Sequence, residues 1–153
     1  MKPTVIIGIG NPVLTDDAVG VQISRRLAAA IAGRPDVDVT ELHAGGMSLM
    51  EAMVGYERAI LIDAMECGQN PGTVYRMTDS DLLESRNSSC AHNTSLGVAL
   101  NVGRLVGLPL PDSIEIWGIE PQDLKSFGEQ LTGVVAQAVP CVVEAILRTL
   151  ISS

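Results

Sequence analysis

The sequence predicts a single α/β domain, residues 1–153, with a mostly parallel, twisted sheet of about five strands and helices on both faces. Three observations predict this fold class. Short apolar runs alternate along the chain with stretches of helical periodicity, which is the pattern of βαβ units. The chain of 153 residues has the size of one domain, and no repeat, linker or low-complexity segment divides it. The composition is 46% hydrophobic but only 3% aromatic, so aliphatic side chains must fill the core, as they do around buried parallel strands.

The first predicted unit is a strand, a helix and a second strand. Residues 4–8 are an apolar strand that runs into a glycine turn. Residues 17–32 have apolar positions at helical spacing, and the pattern stops at Gly33, a residue type that commonly ends helices. Residues 37–42 largely alternate between apolar and polar side chains, which predicts a half-buried strand.

A short helix and two further strands are predicted next. The pair Gly45-Gly46 precedes the short helix. Residues 59–63 are an apolar run that closes on Asp63 and predicts a buried strand. The turn sequence Asn70-Pro71-Gly72 leads into residues 73–77, whose alternating apolar positions predict an edge strand.

The C-terminal part is predicted to contain a polar loop, two helices and one strand. The loop, residues 85–95, leads into a helix whose apolar positions recur over residues 96–106. Residues 113–120 form a strand, which Pro121 prevents from continuing as a central strand. The last helix carries its apolar residues on one face and contains Pro140.

Charge and cysteine usage limit the partners and the compartment. A net charge of -8 and a pI near 4.6 argue against nucleic acid and against anionic membranes, because both would repel this surface. Cys67, Cys90 and Cys141 are too few and too widely spaced for a disulfide framework or a Cys-x-x-Cys metal site, and they favour a reducing cytosol. No stretch reads as a signal peptide or a membrane span. We therefore expect a soluble cytoplasmic protein.

The glycine turn after the first strand does not match the common phosphate-binding motifs. Gly8 and Gly10 are spaced as in the dinucleotide fingerprint, but Val13 stands where that motif needs a third glycine. Asp16 and Asp17 would also oppose a phosphate at the helix N-terminus. A P-loop is excluded because no Gly-Lys-Ser or Gly-Lys-Thr sequence follows.

Three polar side chains fall at one predicted edge of the sheet. Asp17 follows the first strand, Asp63 closes a later strand, and His92 lies in the polar loop. The carboxyl ends of parallel strands meet at the edge where ligands bind, so these side chains should lie close together. Two carboxylates and an imidazole suit a borderline divalent ion such as nickel or zinc, which would remove the repulsion between the carboxylates. With an open coordination position, such an ion could polarise a carbonyl or activate a water.

Other interpretations of these residues stay open. Asp16 and the two site carboxylates could instead cap a helix or a turn. His92 could be an ordinary exposed histidine, and His43 is a rival imidazole at a strand end. Cys90 could form a thiolate pair with His92, although their proximity in a loop says little about geometry. A serine nucleophile finds no support, because the Gly-x-Ser-x-Gly elbow is missing from the sequence.

The chain resembles the endopeptidases that mature the large subunit of nickel-iron hydrogenases, and the likeness covers nearly its whole length. The first block is highly specific in combination, and the later blocks follow in the same order. The resemblance rests on Gly8-Ile9-Gly10-Asn11 with Leu14, Asp16-Asp17 and Gly20, on Gly45-Gly46, Leu61-Ile62-Asp63-Ala64 and Asn70-Pro71-Gly72, and on His92-Asn93 with Leu96, Gly118-Ile119-Glu120-Pro121 and the proline-bearing last helix.

The resemblance implies a protease that removes a short C-terminal extension from the hydrogenase large-subunit precursor once nickel has entered it. Asp17, Asp63 and His92 match the family's metal-contacting residues, and the two aspartates are the expected catalytic carboxylates. In the family the nickel belongs to the substrate, so this site would recognise the metal rather than own it. Gly45 and Gly46 would lie near the scissile peptide as a closely approached, conformationally free backbone segment.

One departure from the family pattern keeps other functions open. Many relatives carry Asp immediately before the paired glycines, whereas this chain has Ala44 there and His43 one step earlier. A second candidate function is therefore a non-catalytic nickel-sensing or chaperone module for the immature subunit. A third is a small-molecule hydrolase with its own tightly held metal.

Overall fold

Five strands form one twisted sheet in the computed structural model, which describes residues 3–43, 46–84 and 93–152. Their spatial order is β2-β1-β3-β5-β4, and all neighbours are parallel except β4, which pairs antiparallel with β5 at the edge. The mostly parallel sheet and the edge position of β4 confirm the sequence prediction. The strands are β1 Thr4–Ile9, β2 Val37–Leu42, β3 Arg58–Ala64, β4 Val74–Thr78 and β5 Ser113–Ile119.

Five α-helices and one 3-10 turn connect the strands in the described part of the chain. The predicted helix over residues 17–32 begins instead as a 3-10 turn, Thr15–Ala18, in which Thr15 has a positive φ of 47°. Helix α3 was not predicted, because six residues are too few to display a helical period. The helices are α1 Val19–Ala30, α2 Met47–Met53, α3 Asp79–Glu84, α4 Asn93–Leu105 and α5 Gly133–Ser152.

Apolar side chains fill the core on both faces of the sheet. Along β1, Ile6 faces the layer formed by α1 and α5, whereas Val5 and Ile7 belong to the cluster on the side of α2 and α4. β3 divides its side chains in the same way, with Ile60 on the first face and Leu61 on the second. Side chains of successive strand residues point to opposite faces, so a continuous apolar run fills two layers at once.

The sequence predicts no membrane span. By length and composition, however, residues Gly133–Ile151 of helix α5 could cross a membrane, with a mean hydropathy of 1.8. In the structure this helix packs against α1 and β5. Its inward face is buried in the core, which is how a core helix of a globular domain packs. The buried residues of that face are Val135, Val139, Val142, Ile146 and Leu150.

The cysteines differ from the sequence expectation in one respect. Cys141 on α5 is free and exposed, but Cys67 is disulfide-bonded. Disulfides persist mainly in oxidising compartments. The reducing compartment that the small number of cysteines suggested, and with it a cytoplasmic location, stays a prediction.

Candidate active site

Two carboxylates from separate elements face each other at the carboxyl edge of the sheet. Asp17 lies in the 3-10 turn after β1, Asp63 lies near the end of β3, and both are half-buried. Burial and, second, the negative charge of Asp17 raise the pKa of Asp63 well above its ordinary value. The 3-10 turn and the end of β3 thus bring the predicted pair within electrostatic reach of each other.

Glycines allow α1 to come close enough to the sheet for this pairing. A Cβ at Gly20 would lie 2.2 Å from the Ile62 carbonyl oxygen and 2.7 Å from that of Ile9. A Cβ at Gly8 would lie 2.4 Å from the Gly20 oxygen. The first turn of α1 therefore rests directly on the backbones of β1 and β3, one residue before Asp63.

The glycine turn also fixes the orientation of the Asp17 carboxylate. The backbone N–H of Asn11 donates a hydrogen bond of 2.8 Å to Asp17 Oδ2. Gly10 has a φ of +146°, and a Cβ there would lie 1.9 Å from the Asp17 carbonyl oxygen. Only glycine fits this position, because both the backbone conformation and the contact exclude a side chain.

Asp16 points away from the pair and holds the loop after β5. Its carboxylate is fully buried and accepts hydrogen bonds of 2.8 Å from the backbone N–H groups of Gln122, Asp123 and Thr132. The Thr132 hydroxyl donates to the same carboxylate. Neither the 3-10 turn nor α1 has a side-chain hydrogen bond at its N-cap, so the alternative that an aspartate caps this helix is wrong.

Glu120 is a buried carboxylate at this edge to which sequence reasoning gave no role. Its Oε1 accepts hydrogen bonds from the Tyr75 hydroxyl and from the backbone N–H groups of Cys67 and Gln69. Burial and this bond to Glu120 raise the pKa of Tyr75 to about 12. Glu120 thus ties the loop after β3 to β4. Its position at a strand end before Pro121 was the only signal in the sequence.

A cleft opens between the loops that follow β3 and β5. Its volume is about 530 Å³. Carboxylates of Glu66 and Asp123 are among its lining groups, together with the single cation of Lys125. The cleft therefore lies on the same edge of the sheet as the Asp17 and Asp63 pair.

The remaining predicted site residues are only partly described. His92 and Gly45, like Ala44, lie outside the described residues. Gly46 has a φ of +76° and is the N-cap residue before α2, and a Cβ there would meet no atom within 4 Å. His43 is exposed, with Nε2 3.6 Å from Glu41 Oε1. Within residues 3–43, 46–84 and 93–152, no group of three or more metal-ligating side chains is arranged to hold an ion.

The fold and the site together define an α/β domain with a ligand-binding or catalytic site. A doubly wound α/β domain presents paired carboxylates and a cleft at the carboxyl edge of its sheet, where α/β proteins bind ligands and carry catalytic groups. The model of the hydrogenase maturation protease family matches residues 21–149 of this chain. The chain therefore belongs to that family, which makes it a peptidase.

Curated relatives span nearly the whole chain. The hydrogenase 2 maturation protease of Escherichia coli is 27% identical over 147 residues, which are 95% of this chain and 88% of that protein. The hydrogenase expression/formation protein HupD of Rhizobium leguminosarum is 25% identical over 147 residues, 95% of this chain and 72% of that protein.

Solved structures agree with the fold. The hydrogenase maturating endopeptidase HybD from E. coli superposes with a TM-score of 0.82 at 25% identity, and the match covers 98% of this chain and 93% of HybD. The maturation protease HybD from Thermococcus kodakarensis gives a TM-score of 0.77 over 96% of this chain and 98% of that one. At 23% identity, this second likeness shows the fold alone.

Proposed function

We propose that this endopeptidase removes the C-terminal extension of a nickel-iron hydrogenase large-subunit precursor, and that it cuts only precursor that already carries nickel. Asp17, Asp63 and His92 contact the nickel held by the precursor. The metal is thus part of the substrate, and the protein supplies side chains that bind it only when the precursor carries it.

The facing carboxylates of Asp17 and Asp63 carry this proposal. Burial and, second, the negative charge of Asp17 raise the pKa of Asp63, so the two carboxylates stand in an unfavourable environment. A divalent cation placed between them would remove the conflict. Carboxylate oxygens joined by an imidazole nitrogen form a donor set that suits nickel.

Cleavage needs a polarised carbonyl and an activated water. Nickel of the precursor supplies a Lewis acid near the scissile peptide when the substrate is bound. Asp17 or Asp63 acts as general base toward the water within hydrogen-bond reach. Gly45 and Gly46 form the backbone segment against which the peptide lies, consistent with the open space and positive φ at Gly46.

The partner is a protein, with no nucleic acid and no membrane insertion. The net charge of -8 opposes binding to a polyanion. Helix α5 buries an apolar face in the core, which supports the proposal of no membrane insertion. The cleft of about 530 Å³ between the loops that follow β3 and β5 has room for residues that flank the scissile bond.

Intact mass of a large-subunit precursor tests this function. Nickel-loaded and nickel-free precursor would each be incubated with the wild-type protein, with Asp17→Asn and with Asp112→Asn. Asp112 is an exposed carboxylate just before β5, at the opposite edge of the sheet, and serves as the matched control.

We expect loss of a C-terminal peptide only from nickel-loaded precursor, with the wild type and the Asp112 variant but not with the Asp17 variant. Cleavage that survives Asp17→Asn would show that the site is placed wrongly. A stable complex of unchanged mass would instead support a non-catalytic nickel-sensing or chaperone module, the alternative that the Ala44 departure keeps open.

A further inference from the structure

Phe127 is exposed although nothing in the fold requires an aromatic residue there. It is the only phenylalanine of the chain, and its exposed fraction is 87%. The residue lies in the segment 121–132 that connects β5 to α5. The Phe127 side chain therefore presents an aromatic surface to solvent in a chain with only 3% aromatic residues.

The backbone around Phe127 is held firmly on both sides. The Thr15 hydroxyl donates a hydrogen bond of 2.5 Å to the Ser126 carbonyl oxygen, and the Thr15 N–H donates to the Gly128 oxygen at 3.0 Å. The Gly128 N–H donates in turn to the Val13 oxygen at 2.8 Å. Phe127 is therefore presented from a fixed backbone.

The base of the same segment is fixed by Asp123 and Asp16. Asp123 Oδ1 accepts hydrogen bonds of 2.9 Å from the N–H groups of Lys125 and Ser126. The buried carboxylate of Asp16 accepts the N–H of Asp123 itself. A partner that binds Phe127 loses little loop entropy, because the loop is ordered before binding.

The loop that presents Phe127 is joined to the turn that carries Asp17. Thr15 binds the residues on either side of Phe127, and Asp17 follows Thr15 by two positions. Val13, whose side chain is 43% exposed, adds a second apolar group where the loop is joined to the segment after β1. Both groups follow carboxyl ends of parallel strands, so they flank the edge at which the substrate must bind.

We propose that Phe127, with Val13, is the apolar anchor by which this protein docks the folded hydrogenase large-subunit precursor. This inference rests on the proposed function and adds the surface that the substrate contacts outside the cleavage site. A rigid aromatic side chain that enters a pocket of the partner is typical of residues that contribute most of the affinity of an interface. The precursor supplies an apolar pocket close to its scissile segment.

The test compares Phe127→Ala and Phe127→Leu with Leu105→Ala. Leu105 is 86% exposed at the end of α4, so its truncation removes a similar exposed apolar group away from the carboxyl edge. Cleavage of nickel-loaded precursor is measured over a range of precursor concentrations. Binding of nickel-free precursor, which the proposed function leaves uncut, is measured separately by titration calorimetry, so the result does not depend on turnover.

We expect Phe127→Ala to raise KM and the dissociation constant about tenfold, with the maximal rate within about twofold of wild type. Phe127→Leu should recover part of the affinity, and Leu105→Ala should match the wild type. The melting temperature should not change, because the Phe127 side chain packs on little of the protein.

Two results would overturn the inference. The first is equal affinity of the wild type and Phe127→Ala for the precursor. The second is a wild-type dimer that becomes a monomer in Phe127→Ala, because Phe127 would then bind a second copy of the chain. Failure of the wild type to cut nickel-loaded precursor would contradict the proposed function alone, and the binding titration would still decide the role of Phe127.

Discussion

Two adjacent aspartates serve different purposes, and only the structure separates them. Asp16 is fully buried and satisfies three backbone N–H groups of the segment 121–132. Asp17 is half-buried and faces Asp63. The first carboxylate therefore contributes to stability, whereas the second stands in an electrostatically unfavourable position that function explains better than folding does.

Opposite effects on stability should follow from substituting each aspartate. Asp16→Ala leaves those N–H groups without an acceptor, and we expect the free energy of unfolding in urea to fall by about 2–4 kcal/mol. Asp17→Asn keeps an oxygen for the Asn11 N–H and removes the charge beside Asp63. Its free energy of unfolding should stay the same or rise by up to about 1 kcal/mol, with cleavage lost. Similar destabilisation by both variants would contradict this division.

At the level of elements, close packing of α1 on the sheet determines the geometry of the site. The carbonyl oxygens of Ile9 and Ile62 occupy the space where a side chain at Gly20 would lie. Both atoms belong to backbone in the middle of the sheet, which cannot move aside easily. A single methyl group at Gly20 would therefore separate the turn that carries Asp17 from the strand that carries Asp63.

Gly20→Ala should reduce both stability and cleavage. Overpacking against backbone predicts a loss of about 1–3 kcal/mol in the free energy of unfolding, although alanine favours the helix itself. Gly133→Ala is the matched control, because Gly133 is also helical and a Cβ there meets no atom within 4 Å. That control should be neutral or stabilising by up to about 1 kcal/mol. Equal results in thermal melts and cleavage assays would refute the packing argument.

Helix α5 provides a second test at this scale, because its composition and its packing suggest different environments. Ile146 is fully buried in the core, whereas Ile151 is 80% exposed. If α5 is a core helix, Ile146→Asp should prevent folding by burying an unpaired charge, and Ile151→Asp should be tolerated. The measurement is the yield of folded protein without detergent. Loss of the wild type to the membrane fraction would contradict the proposal of no membrane insertion.

For the whole molecule, short-range patterns predicted the fold well and long-range contacts poorly. The strand predicted over residues 37–42 has the same bounds as the observed β2, because the alternation that predicts a strand is a local pattern. The approach of Asp17 to Asp63 followed from the rule that carboxyl ends of parallel strands meet. The hydrogen bonds of Asp16 and the fixed backbone around Phe127 could not be predicted, because they depend on contacts between segments more than 100 positions apart in sequence. The role of His92 stays a prediction.

If the protein cuts only nickel-loaded precursor, which we call the nickel checkpoint, a chelator should block cleavage by acting on the precursor and not on the protein. If the nickel belongs to the precursor, treatment of the isolated protein with EDTA followed by its removal should leave cleavage unchanged. Stripping nickel from the precursor should abolish cleavage, and free nickel added to the protein should not restore it. Within residues 3–43, 46–84 and 93–152 no group of three metal-ligating side chains is set to hold an ion, and His92, the proposed third donor, lies outside those residues.

The control for this prediction is untreated protein with the same nickel-loaded precursor, measured by intact mass over time. EDTA-treated protein that becomes inactive and recovers with added metal would establish a resident metal ion and contradict the checkpoint. Cleavage of nickel-free precursor at the wild-type rate would also contradict it, because the two carboxylates would then act without the cation that relieves their repulsion. Cleavage of nickel-loaded precursor alone would show that the nickel of the substrate controls cleavage, because a divalent cation relieves the repulsion between the two carboxylates.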